Sequence, residues 1–392
     1  MEPYKIRLYD KIAPEGLERL KARGCLISGD METPDAILVR STSLLDEELP
    51  SSLKCIARAG AGVNNIPIDR CSEKGVVVFN TPGANANAVK ELVVCALLLT
   101  SRRVVDGVQW LRSQEGDGDL SLRVEKGKGA FAGPEIAGKA LGVVGLGAVG
   151  VMVANAACAL GMEVYGYDPY LSVDAAWGLD RSVKKCESLK AMYEIADYIT
   201  LHVPLTPETA GIIGRESLSQ MKNGVRILNF ARGGLVDEDA MAEALSCGRA
   251  AAYATDFPPP SLLHLPGVLP MPHLGASTPE SEKNCARMAA DQLLDFLDHG
   301  NIKNSVNLPD VHLEREGPYR LCVLNRNVPN MIGQMTALLA SEGVNIEYMI
   351  NRSKKEMACT LVDTCTPLAE RVLERLRAVP EILSVRVADL TK

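Results

Sequence analysis

The stretch Leu141-Gly-Val-Val-Gly145-Leu-Gly147-Ala-Val-Gly150 constrains this chain more than any other. It reads as a short buried strand that turns directly into a helix, with glycines at GxGxxG spacing. Gly145 permits the tight turn. Gly147 lets backbone approach a pyrophosphate, and Gly150 lets helix and strand pack closely. Phosphates would rest on the amides of Ala148 and Val149, at the positive end of the helix. The spacing alone also fits an ordinary tight β–α turn. Asp168 adds the context, 18 residues beyond Gly150 at the end of the next strand, in Tyr-Gly-Tyr-Asp-Pro. A carboxylate there accepts hydrogen bonds from ribose hydroxyls and repels a 2′-phosphate, which points to NAD over NADP.

At 392 residues the chain exceeds one ordinary core, so two or three domains are expected. Three textures follow one another. In the first, residues 6–9, 36–39, 55–59 and 76–79 read as short strands, with helices at 16–23 and 89–99. In the second, residues 141–144, 163–167, 198–202, 226–230 and 268–271 are continuous apolar runs, as in a sheet covered on both faces. The third follows 304–309, an Asn- and Ser-rich stretch that reads as a linker. There the order is strand 319–324, helix 331–342, strands 345–351 and 358–364, helix 368–378 and strand 382–388, a ferredoxin-like βαββαβ unit. The expectation is α/β: two doubly wound parallel-sheet domains followed by a small ferredoxin-like one.

Net charge is −7, no long basic run exists and aromatics are 4%, which argues against a nucleic-acid platform. The longest clean apolar run, 92–99, is far too short to span a membrane. Eleven cysteines, an odd number, show no CxxC and no Cys/His metal spacing. Free thiols in a reducing, cytoplasmic setting are expected, with no metal.

Hydride transfer to NAD needs a base for the substrate hydroxyl and a cation to hold the substrate. Of five histidines, His273 lies in Met-Pro-His-Leu-Gly-Ala-Ser-Thr, just past a late strand of the second region. Ligands of doubly wound sheets bind at strand C-termini. His202 also ends a strand, but Val203-Pro204 follows, so it reads as flanking the cofactor. Arg232, in Asn-Phe-Ala-Arg-Gly-Gly, has the guanidinium geometry to clamp a carboxylate. The plain alternative for each is a surface residue at a strand end.

Together these residues resemble the D-isomer-specific 2-hydroxyacid dehydrogenases. The matching segments are Arg58-Ala-Gly-Ala-Gly-Val-Asn-Asn-Ile, Asn80-Thr-Pro-Gly-Ala-Asn, Gly145–Gly150, Ala231-Arg-Gly-Gly-Leu-Val-Asp237 and Pro272–Thr278. The resemblance implies a flavodoxin-like substrate domain from residues 1–95 and 283–308, a Rossmann NAD domain at 96–282 and a third domain at 309–392. It implies NAD contacts at Gly145, Gly147, Ala148, Val149, Gly150, Asp168, His202, Val203, Pro204, Ala231, Arg232, Gly275 and Ala276. His273 would be the general base, Arg232 the carboxylate clamp, and Arg58, Gly60 and Ala61 a substrate loop. The family's His partner is a Glu in Asp-Val-Phe-x-x-Glu-Pro. This chain reads Ala254-Thr-Asp256-Phe-Pro-Pro-Pro260-Ser, with proline where that Glu belongs. Asp256, 17 residues before His273, is the nearest carboxylate and is assigned the orienting role; its plain alternative is a strand-end turn cap.

The third region resembles an ACT domain. That likeness implies an L-serine site, with Asn325, Asn327 and Asn345 as candidates and Asn330 standing where glycine is usual; a dimerisation module is the alternative. The implied activity is NAD-dependent oxidation of 3-phospho-D-glycerate to 3-phosphooxypyruvate, the first step of serine synthesis. The implied assembly is a homodimer or homotetramer. A glyoxylate or hydroxypyruvate reductase of the same family, or a non-catalytic NAD sensor, are the competing readings.

Overall fold

A computed structural model describes residues 3–114, 119–314 and 317–389. The chain divides into two compact units, Met1–Asn85 with Pro279–Lys392, and Ala86–Thr278.

The first unit opens with five parallel strands: β1 (Lys5–Leu8), β2 (Leu26–Ser28), β3 (Ala36–Val39), β4 (Cys55–Arg58) and β5 (Val77–Phe79). Their order is β2-β1-β3-β4-β5, the flavodoxin-like arrangement. β3 is buried at all four residues, as a two-face-covered strand must be. The helices Pro14–Ala22 and Pro279–His299 pack together on this sheet. Gly16 makes that contact possible, because a Cβ there would lie 2.5 Å from the carbonyl oxygen of Ala286. Leu20, Ala289, Leu293 and Phe296 are buried in the shared core.

The second unit begins with the helix Ala86–Arg102 and holds seven parallel strands: β6 (Ala140–Val144), β7 (Glu163–Tyr167), β8 (Lys184–Lys185), β9 (Tyr198–Leu201), β10 (Val225–Asn229), β11 (Ala250–Thr255) and β12 (Val268–Pro270). The order is β12-β11-β10-β9-β6-β7-β8. The direction of winding reverses between β6 and β9, the place where such sheets bind ligands. β11 was not expected from its Ala-Ala-Ala-Tyr-Ala-Thr sequence, which favours helix. Five of its six residues are buried between neighbouring strands and covering helices, where small side chains fit and propensity is overridden.

The remaining strands belong to the first unit: β13 (Tyr319–Arg326), β14 (Tyr348–Lys354), β15 (Met357–Thr364) and β16 (Ile382–Asp389), with helices Met331–Ser341 and Glu370–Arg377. They form an antiparallel sheet in the order β14-β15-β13-β16, the ferredoxin-like topology. Asn330 sits at φ 66°, the left-handed conformation that asparagine tolerates in place of glycine. One face of this sheet covers its own helices. On the other face Cys322, Leu324, Cys359 and Leu361 share a core with Phe79, Phe296 and Leu308. Arg320 fastens that face. Both residues of its bidentate ion pair with Asp363 are fully buried, and its guanidinium also donates to the carbonyls of His299, Leu313 and Glu314.

The stretch 304–309 is not a free linker. Ser305 bridges to Phe79 beside β5, and Leu308 is fully buried. Asn307 accepts from the Val78 N–H at 2.9 Å and donates to the Val76 carbonyl at 2.9 Å. Its side chain imitates the backbone of a sixth strand. The Asn- and Ser-rich composition reads as a linker, whereas the amides do backbone work that sequence does not display.

Candidate active site

The glycine turn leaves β6 at the point of reversal. Gly145 has φ 89°, and a Cβ there would lie 2.6 Å from the His202 carbonyl oxygen. A Cβ on Gly150 would lie 2.0 Å from the carbonyl oxygen of Gly145. Both positions therefore need glycine. Gly147 differs: a Cβ there would meet nothing within 4 Å. That open space adjoins the start of the helix Ala148–Ala159, which has no side-chain cap, so its first amides point outward. Asp168 follows β7. Its carboxylate accepts from the N–H groups of Leu146 and Tyr170, each at 2.8 Å, and so is locked beside the turn with lone pairs to spare. The segment His202-Val203-Pro204 packs on the same turn. His202 pairs with the Thr200 hydroxyl at 2.9 Å, and burial pushes its pKa down to about 4, which keeps the ring neutral.

Three adjacent strands deliver the three candidate residues to one edge of the sheet. Arg232 follows β10, Asp256 follows β11 and His273 follows β12. Arg232 and His273 are exposed, whereas Asp256 is only 3% exposed. The Asp256 carboxyl accepts from the Gly275 N–H, and its Oδ1 is buried with no hydrogen-bond partner among the described residues. Burial raises its pKa, while His273, the Gly275 N–H and Arg232 pull it back down. The His273 ring lies against Phe257, with centroids 4.5 Å apart. Two helpers escaped the sequence reading. Phe257 carries no signal of its own within Asp256-Phe-Pro-Pro-Pro260. Asn229, 1% exposed, donates to the Arg232 carbonyl and accepts from the Ala231 N–H, which shapes the Arg232 turn. A buried amide at a strand end just before Ala-Arg-Gly-Gly was the available signal.

In the first unit, the loop after β4 carries Arg58, Gly60 and Ala61. Arg58 Nε donates to the Arg40 carbonyl at 3.0 Å. The guanidinium folds back over Gly60, where a Cβ would lie 2.4 Å from Arg58 Nη1. Asn80 donates from Nδ2 to the Ala61 carbonyl at 2.6 Å and so ties the loop to the end of β5.

Residues 94–275 match the family described as D-isomer specific 2-hydroxyacid dehydrogenase, NAD binding domain. The chain carries the NAD-binding domain of the D-isomer specific 2-hydroxyacid dehydrogenases. It is 37% identical to D-3-phosphoglycerate dehydrogenase of Methanocaldococcus jannaschii over 84% of this chain and 60% of that one. It is 34% identical to the Bacillus subtilis D-3-phosphoglycerate dehydrogenase over 78% of this chain and 59% of that one. The chain thus spans about three fifths of the length of these relatives. Among solved structures it resembles NAD+-bound 3-phosphoglycerate dehydrogenase of Entamoeba histolytica, with TM-score 0.61, 28% identity, and coverage of 78% of this chain and 99% of that one. A glyoxylate reductase from Paecilomyes thermophila gives TM-score 0.65, 26% identity, and the same coverage of 78% and 99%.

The residues present fit the dinucleotide of this dehydrogenase family. Gly147 faces open space, the helix amides beside it are uncapped, and the Asp168 carboxylate is oriented beside the turn by backbone N–H groups. Ala148 stands inside the turn, so the chain supplies backbone donors there and no side-chain cation. At the position where the dehydrogenases are expected to carry their Glu, Pro260 opens a short 3₁₀ turn, Pro260–Leu262, and cannot take a proton. The three asparagines expected at the effector site do not converge in one copy. Asn325 and Asn327 lie at the end of β13, in the row of Ala358 and Ser353. Asn345 precedes β14 at the opposite end, beside the row of Tyr348, Asp363 and Arg320. Five residues of strand, about 17 Å, separate those rows.

Proposed function

We propose that the chain is an NAD-dependent dehydrogenase that oxidises 3-phospho-D-glycerate to 3-phosphooxypyruvate, the first step of L-serine synthesis. The observation that carries this reading is the delivery of Arg232, Asp256 and His273 by β10, β11 and β12 to the same sheet edge, with the buried Asp256 carboxyl under the turn that holds His273. The curated relatives support the choice of substrate, since those that cover most of this chain carry that enzyme's name. The domain roles follow: the first sheet serves the substrate, the second the NAD, and the antiparallel sheet is ACT-like.

When bound, NAD accepts the hydride from C2 of the substrate. Arg232 binds the carboxylate beside C2 through two parallel N–H donors. An imidazole nitrogen of His273 takes the C2 hydroxyl proton, and the Asp256 carboxylate stabilises the imidazolium that results. Phe257 fixes the plane of the ring. Arg58, Gly60 and Ala61 are assigned to substrate binding by the family resemblance of their loop. Gly275 and Ala276 line the cofactor side of the His273 turn, and Ala231 does the same beside Arg232.

We assign the chain to the cytoplasm; none of its cysteines forms a disulfide, and no helix among the described residues is long and apolar enough to cross a membrane. A homodimer or homotetramer is supported by Val104, Val108 and Leu111, 42–48% exposed along one side of the helix Val104–Arg112, with Leu120 and Leu122, 46% and 53% exposed, close behind in sequence. An L-serine site built from Asn325, Asn327 and Asn345 requires two copies of the chain, given their positions at opposite ends of one sheet.

The test is NADH formation by the purified chain from NAD and 3-phospho-D-glycerate, beside His273→Ala. Turnover that disappears in the variant is expected. NADH binding without turnover of this acid or of glyoxylate refutes the enzyme reading and leaves a sensor; turnover of glyoxylate alone refutes the substrate.

A further inference from the structure

A second polar pocket lies wholly within the first unit, on the side of the helix Pro279–His299 turned away from the sheet. Its volume is about 550 Å³, and its walls include Asn284, Arg287, Asp291 and Asp295 of the helix with Lys303 and Asn304 of the segment that follows. The four helix residues recur at intervals of three and four, so they form one stripe.

The charges in this stripe are incompletely used. Neither Arg287 nor Lys303 makes a hydrogen bond or ion pair among the described residues, although the Arg287 charge acts on Glu15, which Lys283 holds at 3.0 Å. Asp291 is engaged through Oδ1 with Arg19 at 2.7 Å, and Asp295 through Oδ1 with the Asn301 amide at 2.9 Å. Each keeps a second oxygen. Two cations with free N–H donors beside two half-engaged carboxylates suit a ligand with one anionic and one cationic end. A simple polyanion would be repelled by Asp291 and Asp295. The floor is preorganised. Gln292, 7% exposed, accepts from Asn304 Nδ2 at 2.8 Å and donates to the Asn80 carbonyl at 2.9 Å. Asn304 is held at φ 59°, and its carbonyl accepts from the Asn80 N–H.

We propose that this pocket binds a small α-amino acid, with its carboxylate on Arg287 and Lys303 and its ammonium on Asp291 and Asp295. The floor also gives binding a route outward. Gln292 and Asn304 both hold Asn80, and Asn80 holds the Ala61 carbonyl of the loop that carries Arg58. Occupancy therefore bears on that loop; this consequence, unlike the binding itself, rests on the substrate role proposed above.

The test is calorimetric titration of the full-length chain, without NAD or substrate, using glycine, L-serine and inorganic phosphate in turn. Saturable binding of an amino acid is expected, weakened roughly tenfold or more by Arg287→Gln and again by Asp295→Asn, with the glycine titration unchanged by Asn327→Ala. Lys303→Gln, in an exposed loop, repeats the test should either helix variant melt early. No binding of either amino acid overturns the proposal. So does binding of phosphate alone, binding indifferent to the pocket variants, or glycine binding abolished by Asn327→Ala. None of these readouts depends on turnover, so an inactive chain leaves the result intact.

Discussion

Asp256→Asn separates a positioning role from a structural one. The substitution keeps the shape and keeps one oxygen to accept from the Gly275 N–H. It exchanges the partnerless Oδ1 for an amide group that has no better partner. One orphaned polar atom replaces another, and a buried charge disappears, so stability at pH 8 is expected to change by no more than about 1 kcal/mol. Turnover is expected to fall by about 10²–10⁴-fold, or about 3–5 kcal/mol of barrier, because the imidazolium of His273 loses its carboxylate. The stability difference has a pH signature. Burial raises the Asp256 pKa above the ordinary aspartate value of 3.8. The folded chain therefore protonates this group at higher pH than the unfolded chain does. As pH falls through the raised value toward 3.8, the wild type gains stability relative to the variant. Above that window the variant keeps whatever advantage the lost charge confers. Urea melts at pH 8 and pH 5, with steady-state NADH formation, measure both effects. Wild-type turnover in the variant refutes the positioning role. Melts lowered by more than about 3 kcal/mol refute the stability reasoning and make Asp256 a structural cap.

Three further outcomes follow from particular contacts. Asp168→Ala removes the carboxylate held by Leu146 and Tyr170, and is expected to weaken NADH binding about tenfold while NADPH binding improves, as read by nucleotide fluorescence. Asn307→Leu leaves the Val78 N–H and the Val76 carbonyl without their partner, and is expected to lower the unfolding free energy by about 2–4 kcal/mol in urea melts. Arg320→Met removes the bidentate partner of the fully buried Asp363, and a loss of about 3–5 kcal/mol is expected by the same measurement; an unchanged midpoint would mean that this ion pair does not hold the antiparallel sheet.

The parts legible in sequence were those in which a residue acts through its own neighbours. The glycine turn, Asp168 and the apolar strands of the two parallel sheets are local patterns, and each expected one lies within a residue or two of its place, whereas the strand expected at 345–351 lies at Tyr348–Lys354. The β11 strand was hidden because alanine reports helix preference, while burial on both sides decided the outcome. Asn229, Asn307 and Gln292 were hidden for another reason. Their amides satisfy backbone groups, and for Asn307 and Gln292 those groups are remote in sequence, so no spacing rule reaches them.

Sequence by itself determined the two doubly wound sheets, the ferredoxin-like unit and the dinucleotide turn, because chain reversal and strand burial are written in glycines and apolar runs. Tertiary structure alone decided that the antiparallel sheet shares its core with the first sheet. It alone placed Asp256 under the His273 turn, and set Asn325 and Asn345 at opposite ends of one sheet. Those outcomes depend on which strand lies beside which and in what register, and pairing between distant segments is settled only when the whole chain has packed.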